Sequence, residues 1–297
     1  MLWGSFVPPA PIRELRDLTR TRTQLVRESS RHTQRIQKVL EEAHLKLTEV
    51  LSDILAASGR AILTALVAGE RDPERLADLT RGRLKASRAE LVAALQGRLT
   101  DHHVFLLKLH LNQVDTLDRA VAEVEARIGE RLAPFRHAVE LLRAIPGVSD
   151  TVARVLIAEI GVDMSRFPTA GHLISWAGLC PRMDESAGKR RSTRTRRSGC
   201  WLKTTLVQAA WAAVRTRDSY LRAQFLRLKT RRGPKKAILA VAASMLTAIY
   251  HKLLHDVPYK DLGGHYFDRR DKNRLAQRLI RRLEDLGLRI EVTAPAA

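Results

Sequence analysis

The most constraining feature of this sequence is a long stretch, residues 12–57, that no glycine or proline interrupts. Within it, apolar or small residues recur at alternating steps of four and three residues: Ile36, Leu40, Ala43, Leu47, Val50 and Ile54. That spacing predicts one long helix with an apolar stripe, ending at Ser58-Gly59. Upstream, polar residues share the stripe with apolar ones: Leu18, Arg22, Leu25, Ser29 and His32. Polar stripe positions weaken a coiled coil but can fix its register.

A second long helix is predicted from about Thr100, with its own stripe at Val114, Leu117, Val121, Val124 and Ile128. Short helices are predicted between the two, near 60–68, 73–80 and 87–96. Two long amphipathic helices favour an antiparallel coiled-coil arm, through which the chain would form homo-oligomers, and an ordinary helical bundle is the alternative. The prolines up to Pro11 predict an extended start.

The character of the sequence changes after Pro134, where we place a boundary between domains 1–134 and 135–297. Helices are predicted near 199–216, 218–230, 235–255 and 271–286, and the one possible strand is 288–293. The predicted fold is therefore mainly α. An apolar stretch at 237–250 is too short to span a bilayer and predicts a buried helix.

Charge separates the two domains. The whole chain has a formal charge of +20; residues 1–134 carry 21 Lys and Arg against 18 Asp and Glu, whereas residues 135–297 carry 31 against 14. Such an excess does not help folding and usually serves a polyanionic partner. Nucleic acid is the first candidate and an anionic lipid surface the second, but no basic helix with a broad aromatic face favours a membrane.

Residues 139–161 have the pattern of a helix-hairpin-helix. An apolar helix leads into Pro146-Gly147-Val148, and Ser149 is a good N-cap for the helix that follows. Amides at that helix start can bind a DNA phosphate, so Pro146, Gly147, Val148 and Ser149 are predicted DNA-binding residues. The alternative is a helical hairpin used only for packing, since the second glycine of the common motif is replaced by Ser149.

The segment 182–203 is the second predicted contact with nucleic acid, as a flexible basic loop. Its cations are Arg182, Lys189, Arg190, Arg191, Arg194, Arg196, Arg197 and Lys203. Guanidinium groups fit phosphate geometry, although a charge run can also be a solvated surface. A third cluster, with Arg231, Arg232, Lys235 and Lys236, links two helices and is expected to contact the nucleic-acid backbone.

No enzyme motif or metal-ligand spacing stands out from the residues alone. Cys180 and Cys200 are too few for a disulfide framework, and the N-terminus lacks a signal-peptide pattern. We therefore expect a cytoplasmic protein, associated with the nucleoid.

Five segments in order carry a family resemblance: GSFVPPAPIRELRDLTRTRTQLVRE (4–28), IPGVSDTVARVLIAEIG (145–161), FPTAGHLISWAGLCP (167–181), ESAGKRRS (185–192) and GPKKAILAVAASMLTAIYHKL (233–253). Together they resemble the Piv/MooV invertase-like insertion-sequence transposases, the bridge-RNA-guided recombinases. The resemblance implies DNA strand exchange through a serine that forms a covalent phosphoserine link. Ser186, within ESAGK, is the best match for that serine, with Ser192 and Ser198 close by.

The resemblance also implies a RuvC-like domain with an acidic DEDD metal site, and all of its acids would precede the segment that begins this chain. We therefore expect this chain to bind no metal itself and Mg²⁺ to belong to that domain. A structured guide RNA is the implied second partner besides DNA. Two functions stay open: a transposase, and a non-catalytic nucleic-acid-binding remnant of one.

Overall fold

The computed structural model describes residues 8–82, 85–181, 184–192, 194–195, 200–270 and 272–290, without the side chains of residues 190, 200 and 274. In these residues the fold is mainly α, as predicted. The α-helices are α1 (Ala10–Glu42), α2 (Leu47–Val50), α3 (Ala57–Ala68), α4 (Pro73–Asp78), α5 (Arg88–Ala94), α6 (Asp101–Arg131), α7 (Arg136–Arg143), α8 (Asp150–Ile160), α9 (Ala170–Trp176), α10 (Cys200–Ala213), α11 (Tyr220–Arg232), α12 (Pro234–His255), α13 (Tyr266–Arg270) and α14 (Lys272–Asp285). Two strands, β1 (Asp184–Ser186) and β2 (Lys189–Ser192), pair antiparallel.

The chain folds as two compact units, one of residues 17–130 and one that joins the start of the chain to residues 131 onward. We call them the arm unit and the basic unit. The predicted division into functional domains at Pro134 stays a prediction.

In the arm unit, α1 and α6 run antiparallel. Three polar positions of the α1 stripe bond to polar side chains of α6, and the residue number falls along α6 as it rises along α1. The pairs are Arg22 with Glu125 (2.6 Å), Ser29 with Asp118 (3.3 Å) and His32 with His110 (3.2 Å). Each pair forms only in this register, because a shift by one residue would rotate the partners apart. The polar stripe residues thus have partners that the sequence pattern did not identify.

The predicted end of the first helix was wrong, because α1 ends at Glu42 and Gly59 lies inside α3. His44 takes a left-handed φ of 60°, and the turned chain bonds to distant backbone instead: the Lys46 amide donates to the Ala94 carbonyl at 2.8 Å. The stripe residues Leu47 and Ile54, which follow the break, stay buried. The predicted extended start was wrong at Pro11, which lies in the first turn of α1, where proline is tolerated. Pro8 and Pro9 precede the helix, and residues 1–7 lie outside the described part.

The core of the arm unit lies where the end of α1 meets α3, α4, α5 and the start of α6. The three predicted short helices are confirmed. Their starts follow from capping: the Asp72 carboxylate accepts from the Glu74 amide, and Ser87 and Glu90 form a reciprocal capping box.

In the basic unit, α12 is the central helix and packs against α7, α9, α10 and α11. Its buried apolar residues come as neighbouring pairs at every fourth position and form one broad face: Ala237, Ile238, Val241, Ala242, Met245, Leu246, Ile249 and Tyr250. Its 22 residues match the helix predicted near 235–255. By length and composition it could cross a membrane, but half of its apolar window is buried inside the unit. An apolar helix with so broad a buried face is typical of a protein core.

The N-terminal turns of α1 also belong to the basic unit. The Arg16 guanidinium donates to the carbonyls of Ala158 (3.1 Å) and Glu159 (2.7 Å), the last turn of α8. A cation at this end of the helix donates to carbonyls that have no partner within the helix, and it interacts favourably with the negative end of the helix dipole.

The strand predicted at 288–293 was wrong for residues 288–290, which form no strand. Residues 291–293 lie outside the described part.

Candidate nucleic-acid interface and catalytic serine

The turn between α7 and α8 is built as the sequence predicts. The Val148 amide donates to the Ile145 carbonyl at 3.0 Å, and Gly147 takes a left-handed φ of 81° that favours glycine. Ser149 caps α8, since its hydroxyl accepts from the Val152 amide at 3.3 Å. Ser149 is exposed, and Pro146 is half-buried.

Gly147 also lies against α10. A Cβ atom at this position would stand 2.3 Å from the Ala209 carbonyl oxygen and 2.5 Å from the Ala213 amide nitrogen, far too close for any side chain. Val148 is buried as well, at 6% exposure, so its side chain packs inside the unit rather than facing a ligand. The turn therefore has a packing role, and Ser149 and the start of α8 are its outward part.

Charge at the start of α8 comes from three residues. Asp150 lies in the first turn, where its carboxylate is favoured by the helix dipole. It pairs with Arg154 at 2.5 Å and lies 4.0 Å from Arg143. Neither arginine is among the site residues predicted from the sequence. The i, i+4 spacing of Asp150 and Arg154 could have predicted their ion pair. They bring positive charge to a helix start that would otherwise repel phosphate.

The segment predicted as a flexible loop forms a β-hairpin in its described part. β1 and β2 meet at a two-residue turn, Ala187-Gly188, in which both residues have left-handed φ values of 51° and 71°. Such turns match the twist of paired strands. Glycine adopts this conformation freely, whereas Ala187 holds it under strain.

Ser186 is the last residue of β1 and is exposed. Lys189 lies directly opposite it across the turn, so their side chains share one face of the ribbon. Ser192 differs: it is half-buried, and its hydroxyl accepts from the Arg194 amide at 3.2 Å. Ser198 lies outside the described residues. Of the two described serines, Ser186 therefore presents the more open hydroxyl.

The base of the hairpin is tied to α10. Pro181 and Thr195 form an isolated antiparallel bridge, and the Lys203 ammonium donates to the Thr195 hydroxyl at 2.6 Å. Burial lowers the pKa of Lys203. Lys203 thus braces the hairpin from the first turns of α10, and its predicted contact with nucleic acid stays a prediction.

The other predicted cations of this segment divide by position. Lys189, Arg191 and Arg194 are exposed. The remaining ones fall outside what the structure describes, wholly or by their side chains: Arg182, Arg190, Arg196 and Arg197.

The third basic cluster lies at the connection between α11 and α12, where Gly233 turns the chain with a φ of 78°. Its cations are exposed: Lys229, Arg231, Arg232, Lys235 and Lys236. None of them forms an ion pair within the described residues. Two arginines of the arm unit, by contrast, are paired: Arg60 with Asp115, and Arg88 with both Glu74 and Asp78. The α11–α12 connection therefore carries a cluster of exposed positive charge without ion-pair partners among the described residues.

The structure places α10 between two of the three predicted contact segments, since its N-terminal part holds the hairpin base and its C-terminal part meets Gly147. No described hydrogen bond or ion pair joins either segment to the cluster at the α11–α12 connection. In the part of the chain that the structure describes, no three His, Cys, Asp or Glu side chains come together to hold a metal ion.

Part of the chain is similar to a known protein family. Residues 139–226 match the model of the transposase IS116/IS110/IS902 family, a segment that contains both the Gly147 turn and the Ser186 hairpin. The chain is also 27% identical over 269 residues to the insertion element IS900 uncharacterized 42 kDa protein of Mycobacterium paratuberculosis. That match covers 83% of this chain and 65% of the relative, so the chain spans just under two thirds of the relative's length. These similarities support an insertion-sequence transposase.

Proposed function

We propose that this chain is the DNA-engaging part of an insertion-sequence transposase of the Piv/MooV type, which exchanges DNA strands through Ser186. One observation carries the proposal. Within the segment that matches the transposase family, a tight hairpin turn presents an exposed serine hydroxyl beside exposed cations that lack ion-pair partners among the described residues.

The chemistry follows from what a serine can do at a phosphodiester. The Ser186 Oγ attacks phosphorus, an O–P bond forms, and the bond from phosphorus to one deoxyribose oxygen breaks. The sugar leaves as a hydroxyl once it takes up a proton, and the serine proton is released. No energy-rich cofactor is required, because one phosphodiester replaces another, and reversal on a second strand completes the exchange.

The surrounding cations are suited to assist this step. Charge grows on the non-bridging phosphate oxygens as the serine attacks, and fixed cations stabilise it. Lys189 lies across the turn from Ser186, and Arg191 and Arg194 lie farther along the same segment. The strained Ala187-Gly188 turn keeps the serine at the tip of the ribbon, away from the core.

The remaining basic segments would hold the duplex. The α11–α12 connection offers five exposed cations for backbone phosphates, a contact that fixes position without reading sequence. The α7–α8 turn would act as a helix-hairpin-helix through the amides at the start of α8, aided by Arg143 and Arg154. Sequence choice would then fall to a guide RNA through base pairing. The long α1–α6 pair would serve as a coiled-coil dimerisation arm. None of these proposed roles requires a metal ion bound by the described residues.

A covalent-adduct assay tests the proposal. The purified chain is mixed with labelled DNA that carries joined element ends, with Mg²⁺ and the RNA transcribed from the element, and run on a denaturing gel. We expect a slow band that Ser186→Ala abolishes and Ser192→Ala retains. A band lost only with Ser192→Ala would move the chemistry to the other serine. No band, together with tight salt-sensitive binding on a native gel, would make this chain a non-catalytic binder.

A further inference from the structure

Helix α14 carries an apolar stripe that no described element covers. Leu275, Leu279, Leu283 and Leu286 follow one another at steps of four, four and three residues, which places them on one side of the helix. Leu279, Leu283 and Leu286 are 49%, 37% and 72% exposed. Its described neighbour in the fold is the short helix α13. Several adjacent exposed leucines differ from the single exposed apolar residues that are normal on a surface.

The two flanks of the stripe differ in character. One flank is apolar, with Ala276 and the half-buried Ile280. The other is charged, and it holds cations and an anion in order along the helix: Arg278, Arg282 and Asp285. A partner must therefore present an apolar surface to the leucines. Along the side that faces the charged flank, it must carry a negative group at one end and a positive group at the other.

We propose that α14 is a docking surface for α14 of a second copy of this chain, in antiparallel orientation. In such a pair the middle of the leucine stripe, near residue 281, lies on the two-fold axis. Leu279 of each copy then meets Leu283 of the other. Because like flanks face each other in an antiparallel helix pair, Arg278 of one copy lies opposite Asp285 of the second copy, and the symmetry repeats this ion pair.

Two other occupants fit the surface less well. An anionic lipid surface would attract Arg278 and Arg282 but repel Glu284 and Asp285, which extend the same helix. A nucleic acid would leave the leucines in water. The α14 pair is separate from the proposed dimerisation through α1 and α6, and it does not depend on the function of Ser186.

Cysteine cross-linking of the full chain tests the arrangement. Arg282 lies beside the stripe near the axis, so Arg282→Cys should join two copies by a disulfide under mild oxidation. Arg281→Cys is the matched control, because residue 281 lies on the opposite side of the same turn. The unsubstituted chain gives the background from Cys180 and Cys200. We expect linked dimer in Arg282→Cys at several times the yield of Arg281→Cys, and equal yields would overturn the proposal.

Charge reversal tests the orientation. In the Arg282→Cys background, Arg278→Asp should lower the yield of linked dimer, and adding Asp285→Arg should restore it. Restoration depends on the two residues meeting across the pair, so a double variant as weak as the single one contradicts antiparallel docking. Efficient self-linking of Arg278→Cys would indicate parallel helices and overturn the proposal in the same way. All of these positions are exposed, so the substitutions leave the fold of the unit intact.

Discussion

Gly147 lies so close to the backbone of α10 that an added Cβ atom would stand 2.3 Å from the carbonyl oxygen of Ala209. The turn before α8 and the helix that holds the Ser186 hairpin are thus in direct backbone contact. Any change at Gly147 acts on α10, which binds the hairpin base through Lys203.

Gly147→Ala should therefore destabilise the basic unit by about 3 kcal/mol, since it adds both a left-handed alanine and an overpacked contact. Gly69→Ala is the control: Gly69 also has a left-handed φ, of 104°, but nothing lies within 4 Å of its added Cβ. It should cost only about 1 kcal/mol. Urea unfolding measures both, and equal losses would show that the contact with α10 does not matter.

The α11–α12 connection should hold nucleic acid by charge alone. Arg231→Ser and Arg232→Ser should each weaken DNA binding similarly for all sequences and reduce the slope of log affinity against log salt by about 1, since each removes one phosphate contact. Arg88→Ser removes a cation that is already paired with Glu74 and Asp78, and should leave binding unchanged. Filter binding over a salt series gives the slopes. An unchanged slope in both arginine variants would exclude this surface.

The pair of His32 and His110 should make the arm unit sensitive to acid. Burial, followed by the nearby His32 and Arg35, lowers the pKa of His110 below its usual 6.5. The unfolded chain then binds a proton more readily than the folded one, so stability is lost as the pH falls through 6.5 toward the lowered pKa. His110→Gln should reduce the difference in unfolding midpoint between about pH 8 and about pH 5. If His110→Gln keeps the full difference in unfolding midpoint, the acid sensitivity comes from other titratable groups.

Lys252 should reduce the stability of the basic unit at neutral pH. It is 3% exposed, its ammonium has no hydrogen-bond partner among the described residues, and burial lowers its pKa. Because the unfolded chain holds this proton more tightly, stability should rise with pH between the lowered pKa and 10.5. Lys252→Met should stabilise the chain at neutral pH by about 1 kcal/mol and remove that rise. A loss of stability instead would mean that the ammonium contributes a favourable contact, such as the one with the Tyr259 ring at 5.8 Å.

The sequence predicts the helices well where periodicity and capping act within one segment. The stripes of α1 and α6 and the Ser149 cap are such cases. It fails where distant backbone decides the outcome. The stripe at Ile36 to Ile54 continues across the break after Glu42, because the Lys46 amide bonds to Ala94 on another helix.

The same reason explains the errors in the candidate site. The pattern of Ser, Gly and Arg at 184–192 predicts a flexible loop, yet cross-strand pairing and the Ala187-Gly188 turn form a ribbon. Val148, a predicted DNA-binding residue, has a side chain buried by packing within the unit, and its contact with DNA stays a prediction. Arg143 and Arg154 join the site only through their shared contact with Asp150. Ser186 came from resemblance to a family, since no local chemical pattern distinguishes it from Ser192.

The most direct test of the central claim is to locate the covalent link on the chain. Trypsin cleavage after Arg182 and Lys189 releases residues 183–189, whose one serine is Ser186, and Ser192 leaves in a different peptide. After reaction with the joined-end DNA and nuclease trimming, we expect mass spectrometry to find a deoxynucleotide phosphate on the 183–189 peptide. The same mass addition on the Ser192 peptide, with residues 183–189 unmodified, would contradict the account.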